Sequence, residues 1–376
     1  MTKRMTLAAL LFLIPLSPLG AQAPAPKKTP IQKLAKLIEP WPAPETMTAR
    51  RMDALRRELF QSETPLSFTI EGSFGVINKD RDPNSAKRYP ALLKIDSAGA
   101  GKSIAVSLSA RGHLRRMPMT CSFVPLRIEF EKDGVNGTVF EGPAGALKLV
   151  THCQNSKEHE QFVLREYLAY KLSNILTPRS FRARLARVTY VDSASKKQIA
   201  TRYGLLLEDD GDVARRMDGR VVALERTLFS ELHRETLANM MVFQYMIGNT
   251  DFSIFALHNV VLVQTPDKSL YPVTYDFDLS GLVHAPYSHP APKLGLKSVL
   301  DRLYRGPCLA EEQIATVLET FRSKKTEMFA AFDTIPDLES PAKNEMKGFL
   351  GEFFSTIDRP VSVKRAFING CSRSTM

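Results

Sequence analysis

The spacing of apolar residues changes along the chain. From residue 66 to 151 they fall in short runs that mostly alternate with polar positions: "LSFTIEGSFGVI", "RYPALLKID", "KSIAVSLSARG", "FVPLRIEFE" and "GALKLVTHC". Polar or Gly/Pro-bearing turns, "NKDRDPNS", "SAGAG" and "KDGVNG", separate these runs. That punctuation predicts β-strands, and the short connections predict antiparallel pairing. At 155–176 the period lengthens. Phe162, Leu164, Tyr167, Leu168, Leu172 and Leu176 fall near one face of a helix, with Asn155 or Ser156 placed to cap its start. Strands return at 182–192 and 200–209. A strong helical pattern covers 228–249 and stops at Gly248, and late amphipathic helices fill 310–335 and 340–357. A short helix is expected over 51–62. A strand-rich first part followed by a helix-rich second part predicts an α+β fold with segregated elements.

The N-terminus changes this picture. "MTKRM" is basic, "TLAALLFLIPLSPLG" is apolar but broken by two prolines, and "AQA" at 21–23 is a small-x-small cleavage site. This is the pattern of a secretory signal peptide over residues 1–23, cleaved near Ala23, with export to a periplasm or the cell surface. The apolar run falls short of the about 20 residues that a spanning helix needs, so no transmembrane segment is expected after cleavage. A retained membrane anchor is the alternative. No Cys near the cleavage site offers a lipid anchor. Residues 24–50, with "APAPKKTP" and "EPWPAPE", read as a Pro/Ala-rich tether that carries the lone tryptophan, Trp41. Residues 51–208 then form a β-rich N-terminal lobe with one long helix, and 209–376 a helical C-terminal lobe.

The formal charge is +11, which becomes +9 once Lys3 and Arg4 leave with the leader. An anionic partner such as a nucleotide suits that balance. Nucleic acid does not, because no Lys/Arg run with interleaved aromatics occurs. Cys121, Cys153, Cys308 and Cys371 are an even set in an exported chain, which favours disulfides. Of three connectivities, Cys121–Cys153 and Cys308–Cys371 are preferred because each staples one lobe internally.

The chemistry lies in a few polar residues inside apolar runs. Lys148 sits mid-strand in "ALKLV", on the face opposite Leu147 and Leu149; an exposed lysine on a solvated face is the plain alternative. Glu166 lies 18 residues later on the 155–176 helix and meets Lys148 if that helix crosses the sheet; Arg165 or Lys171 are rival partners. Asp251 follows the 228–249 helix, Asn259 comes eight residues on, and Asp276 and Asp278 end a short strand. Carboxylates in apolar stretches need a partner or a cation. Asp and Asn oxygens suit Mg²⁺, which keeps waters and phosphate oxygens in its shell. Asp251 as a turn cap, with Asp276 and Asp278 as ordinary loop acids, is the competing reading. Together the set supplies what phosphoryl transfer requires: a cation for phosphates, an acid that holds it, a base and metal ligands. "RGHLRR" at 111–116 reads equally as a phosphate binder or a solvated turn. "HAPYSH" at 284–289 and "EDDGD" at 208–212 carry only weak metal signals.

The order of the segments resembles the CotH-like secreted kinases, a branch of the protein-kinase-like fold. The resemblance rests on "ARG" (110–112), "LKL" (147–149), "LREYLAYKL" (164–172), "RYGLLLE" (202–208), "GNTDFSIFALHN" (248–259) and "YDFDLSG" (275–281). It covers residues 105–285. It implies a two-lobed kinase-like fold and transfer of phosphate from ATP, with Mg²⁺ or Mn²⁺, to a protein or small hydroxyl substrate of the envelope. It implies that Lys148 contacts nucleotide phosphates, that Glu166 holds Lys148 and that Glu208 lies by the adenine. Asp251 would be the acid/base, with Asn259 and Asp276 on the metal and Asp278 behind or beside them. No GxGxxG loop precedes Lys148; "EGPAGA" (141–146) is the nearest glycine-bearing turn. A non-catalytic envelope or surface module is the alternative function.

Overall fold

The computed structural model describes residues 37–95, 101–131, 134–142 and 145–372. The expected signal peptide and the first part of the expected tether lie outside them. The described chain is α+β, but its strands do not form the expected protein-kinase-like sheet. β1 (Leu66–Gly72), β2 (Tyr89–Ile95), β3 (Lys102–Ala110), β4 (Leu126–Phe130), β5 (Ala146–Val150), β6 (Ala183–Asp192) and β7 (Gln198–Leu207) close into a seven-stranded barrel in the order β1-β2-β3-β4-β5-β7-β6. The closing pair is parallel, from Leu66 opposite Ala186 to Gly72 opposite Asp192, while the other pairs are antiparallel. This corrects the expectation of a two-lobed kinase-like fold. Alternation tells which side chains face inward; it does not tell whether the two outer strands of a sheet meet. Closure leaves no free edge.

The barrel interior follows the alternation. Phe68, Ile70, Leu108, Ile128, Leu147 and Leu149 are buried in one core. Tyr190, Phe74, Phe123 and His152 meet edge-on or at tilted angles in one aromatic cluster. Residues 74–77, read from sequence as strand, form the short helix α2, after α1 (Pro44–Leu55). Seven of the tether's expected residues, 44–50, therefore lie in α1, which packs on α4 (Asp210–Arg216); Arg57, just past α1, pairs with Asp212 at 2.9 Å, and Arg51 pairs with Asp218, just past α4, at 2.8 Å. Trp41 lies under the Arg220 guanidinium at 4.1 Å.

α3 (Lys157–Leu176) crosses between the barrel and the second core. Ser156 caps it by accepting from the His159 N–H. The second core gathers the outer faces of β5 and β7, α3, α5 (Arg234–Ile247), α6 (Glu311–Ser323), α7 (Lys325–Ala331), α8 (Ser340–Ile357) and a sheet of β8 (Arg220–Val222), β9 (Val260–Gln264) and β10 (Leu270–Thr274). A four-residue helix, α9 (Pro360–Val363), leads into the last turn. Both preferred disulfides are formed, Cys121–Cys153 and Cys308–Cys371. No described helix is long and apolar enough to cross a membrane.

Candidate functional site

Lys148 stands on the outer face of β5, as its apolar neighbours required: Leu147 and Leu149 point into the barrel core. Its side chain is only 15% exposed. It lies 4.1 Å from the centre of the Tyr275 ring and 5.5 Å from that of Phe181. Its Nζ donates to Asp210 Oδ1 at 2.7 Å. Burial pulls its pKa below the usual lysine range, and Asp210 opposes that pull. The expected partner, Glu166, does not meet it.

Glu166 sits on α3 at 1% exposure, with Oε1 buried and without a hydrogen-bond partner. Burial pushes its carboxyl well above the usual range, and Asp278 and Asp276 add to the effect. Arg115, itself buried, offsets it. Asp278 is likewise buried; desolvation, with Asp276 beside it, pushes its pKa up to about 7. It accepts from Tyr287 Oη at 3.2 Å, and Ser288 Oγ donates to its main-chain carbonyl at 3.2 Å. The "HAPYSH" segment therefore folds over Asp278 through its middle residues. Its His284 pairs with Glu345 instead.

Asp251 is launched by the end of α5. Gly248 terminates that helix at φ +64°, where a Cβ would fall 2.9 Å from the Phe349 ring. Arg305 holds the next turn from behind, donating to the carbonyls of Thr250 and Phe252 at 2.7 and 2.8 Å. The half-exposed Asp251 carboxylate accepts from His258 Nε2 at 3.0 Å and from Asn259 Nδ2 at 3.0 Å. The bond to Asp251 raises the His258 pKa above its ordinary value. Leu257, Asn259 and Asp276 all have left-handed backbones, at φ +50°, +54° and +64°. Asn and Asp tolerate this region; a leucine there is strained, as residues at working sites often are. The Asp276 N–H donates to Tyr170 Oη at 2.8 Å, which ties β10 to α3.

Lys148, Asp251, Asn259, Asp276 and Asp278 line one cavity of about 430 Å³, with Arg111, His113, Arg115, His258 and Tyr275. The barrel supplies its basic wall and the loops around β9 and β10 its acidic wall. Glu208 is not among its lining residues. Arg182 and Arg216 grip that buried carboxylate at 2.7 and 2.8 Å. The rest of "EDDGD" is also used up: Asp209 caps α4, Asp210 takes Lys148 and Asp212 takes Arg57.

No protein-family model matches the chain, and no curated protein matches it either.

Among the described residues no group of three His, Cys, Asp or Glu side chains is gathered for a metal ion. Asp276, Asp278 and the Asn259 carboxamide are a smaller donor set. Asn259 spends its Nδ2 on the Asp251 carbonyl and carboxylate, which leaves its oxygen for another partner. Two carboxylates and an amide oxygen suit a cation that completes its shell with water and phosphate oxygens. Burial, more than the neighbouring carboxylates, raises Asp278, and Glu166, whose Oε1 has no hydrogen-bond partner, lies behind the cavity wall rather than on it.

Sequence reasoning missed Asp210 as the partner of Lys148, and missed His258, Tyr275, Tyr287 and Arg305. Asp210, Tyr275 and Arg305 gain their roles from contacts between distant segments, while His258 and Tyr287 meet Asp251 and Asp278 seven and nine residues away through the folding of their own loops.

Proposed function

We propose that this chain is an exported phosphotransferase that binds Mg-ATP in the 430 Å³ cavity and passes phosphate to a hydroxyl of a protein or small molecule. The motif order of the CotH-like secreted kinases is part of the case, although the barrel differs from their expected sheet. The observation that carries the proposal is the shared cavity: a buried lysine from the barrel and four oxygen-bearing side chains from the second core face one space. Two disulfides fit an oxidising compartment outside the cytoplasm.

In this reading Asp276, Asp278 and Asn259 hold the metal, which neutralises phosphate charge. Lys148 contacts phosphate oxygens while Asp210 keeps it charged against burial. Asp251, at the open side and steadied by His258 and Asn259, takes the proton of the acceptor hydroxyl. Glu166 and Glu208 take no direct part. The test is transfer of labelled γ-phosphate to a hydroxyl acceptor or to the protein itself. Wild type labels, and Asp251→Asn and Asp276→Ala do not; equal labelling by all three rejects these roles.

One observation favours a second reading, a ligand-binding module without turnover. Lys148 is neutralised by Asp210 at 2.7 Å rather than held by an acid of α3. Tight nucleotide binding with no labelling under any metal would select it.

A further inference from the structure

We propose that the turn between β3 and β4 is an anion-recognition arm: Arg111 and Arg115 bind phosphoryl oxygens of a polyphosphate ligand in this cavity. The proposal rests on the phosphotransfer reading above and adds to it.

Lys148 cannot balance a polyphosphate alone, because Asp210 already compensates its single charge. In the glycine turn before β5, Gly142 packs against the Arg57 guanidinium, and neither Gly142 nor Gly145 lines the cavity. Two guanidinium groups are in place instead. Arg111 lines the cavity, and its one side-chain hydrogen bond among the described residues is to Asp276 at 3.5 Å, a long bond that leaves most of its donors unused. Arg115 is 8% exposed; it donates to the Thr151 carbonyl, and its Nε is buried without an acceptor. A guanidinium fork matches phosphate oxygens bidentately. Gly112, between them, has φ +81° with open space where a Cβ would stand, so backbone can approach a ligand there. Arg116 is different. It is bound to Asp80 at 2.9 Å and anchors the arm. The Cys121–Cys153 disulfide fixes the other end to the chain after β5.

The test is calorimetry of the disulfide-intact protein with inorganic tripolyphosphate and, separately, ATP, each with Mg²⁺. Arg111→Gln is expected to weaken both by about tenfold or more, with Arg111→Lys recovering part of the loss. Arg115→Gln is expected to do the same; if it does not fold, the Arg111 pair decides. ATP binding that Arg111→Gln leaves unchanged overturns the arm and keeps the phosphotransfer reading, making the arginines counter-ions of Asp276, Asp278 and Glu166 only. Arg111-dependent binding of tripolyphosphate without binding of ATP keeps the arm and removes the nucleotide. Binding of neither by wild type overturns both.

Discussion

Asp278 holds its charge at a cost. Burial and the neighbouring Asp276 place its folded pKa near 7, above the usual aspartate value. A carboxyl shifted up binds its proton more tightly in the folded state. Its penalty is therefore absent in acid, grows as pH rises from about 4 to about 7 and stays full above that. Asp278→Asn should raise the melting temperature over wild type more at pH 8 than at pH 5. A gap that does not widen with pH would show that Asp278 ionises freely. Added Mg²⁺ should stabilise wild type more at pH 8 than at pH 6, because the ligand must first lose its proton. Residues 210 and 166 make a second contrast. Asp210→Asn strips Lys148 of its partner. It should cost about 1–2 kcal/mol in urea unfolding, less than a fully buried pair because Asp210 is 37% exposed. Glu166→Gln should cost less than that, because burial disfavours the charged form that the neutral amide replaces. The reverse ranking would restore Glu166 as the lysine's partner.

At the scale of elements, the β3–β4 connection joins the basic wall of the cavity to the rest of the barrel. Arg116–Asp80 holds one part of it and Cys121–Cys153 the other. Replacing both cysteines by serine should lower stability by about 2–4 kcal/mol and should weaken tripolyphosphate binding in the variant that still folds. Unchanged binding would mean that the arm keeps its shape without the staple. Alternation in "ALKLV" correctly put Lys148 opposite Leu147 and Leu149, because packing two leucines inward leaves the lysine one direction. The start of α3 at Asn155 or Ser156, of which Ser156 caps, and the stop of α5 at Gly248 were equally legible, being local capping chemistry. The partner of Lys148 was not legible. It lies 62 residues away in sequence, and nothing near Asp210 distinguishes it from Asp209 or Asp212.

For the whole molecule, the same division holds. Strand positions could be read from sequence, but barrel closure could not, since it depends on β1 lying parallel to β6 across more than a hundred residues. The kinase-like sheet expected from motif order failed at that pairing. The cavity survives the correction, because β5, the loop after α5 and the end of β10 still converge on it. Thermal melting with and without Mg-ATP tests that convergence most directly. Ligand at about 100 times its dissociation constant stabilises the folded state by about 2.7 kcal/mol. Wild type should melt several degrees higher with Mg-ATP than with Mg²⁺ alone, and Lys148→Ala and Asp276→Ala should lose that rise while remaining folded. A wild-type melting curve that no nucleotide moves, with either Mg²⁺ or Mn²⁺, would contradict the nucleotide site.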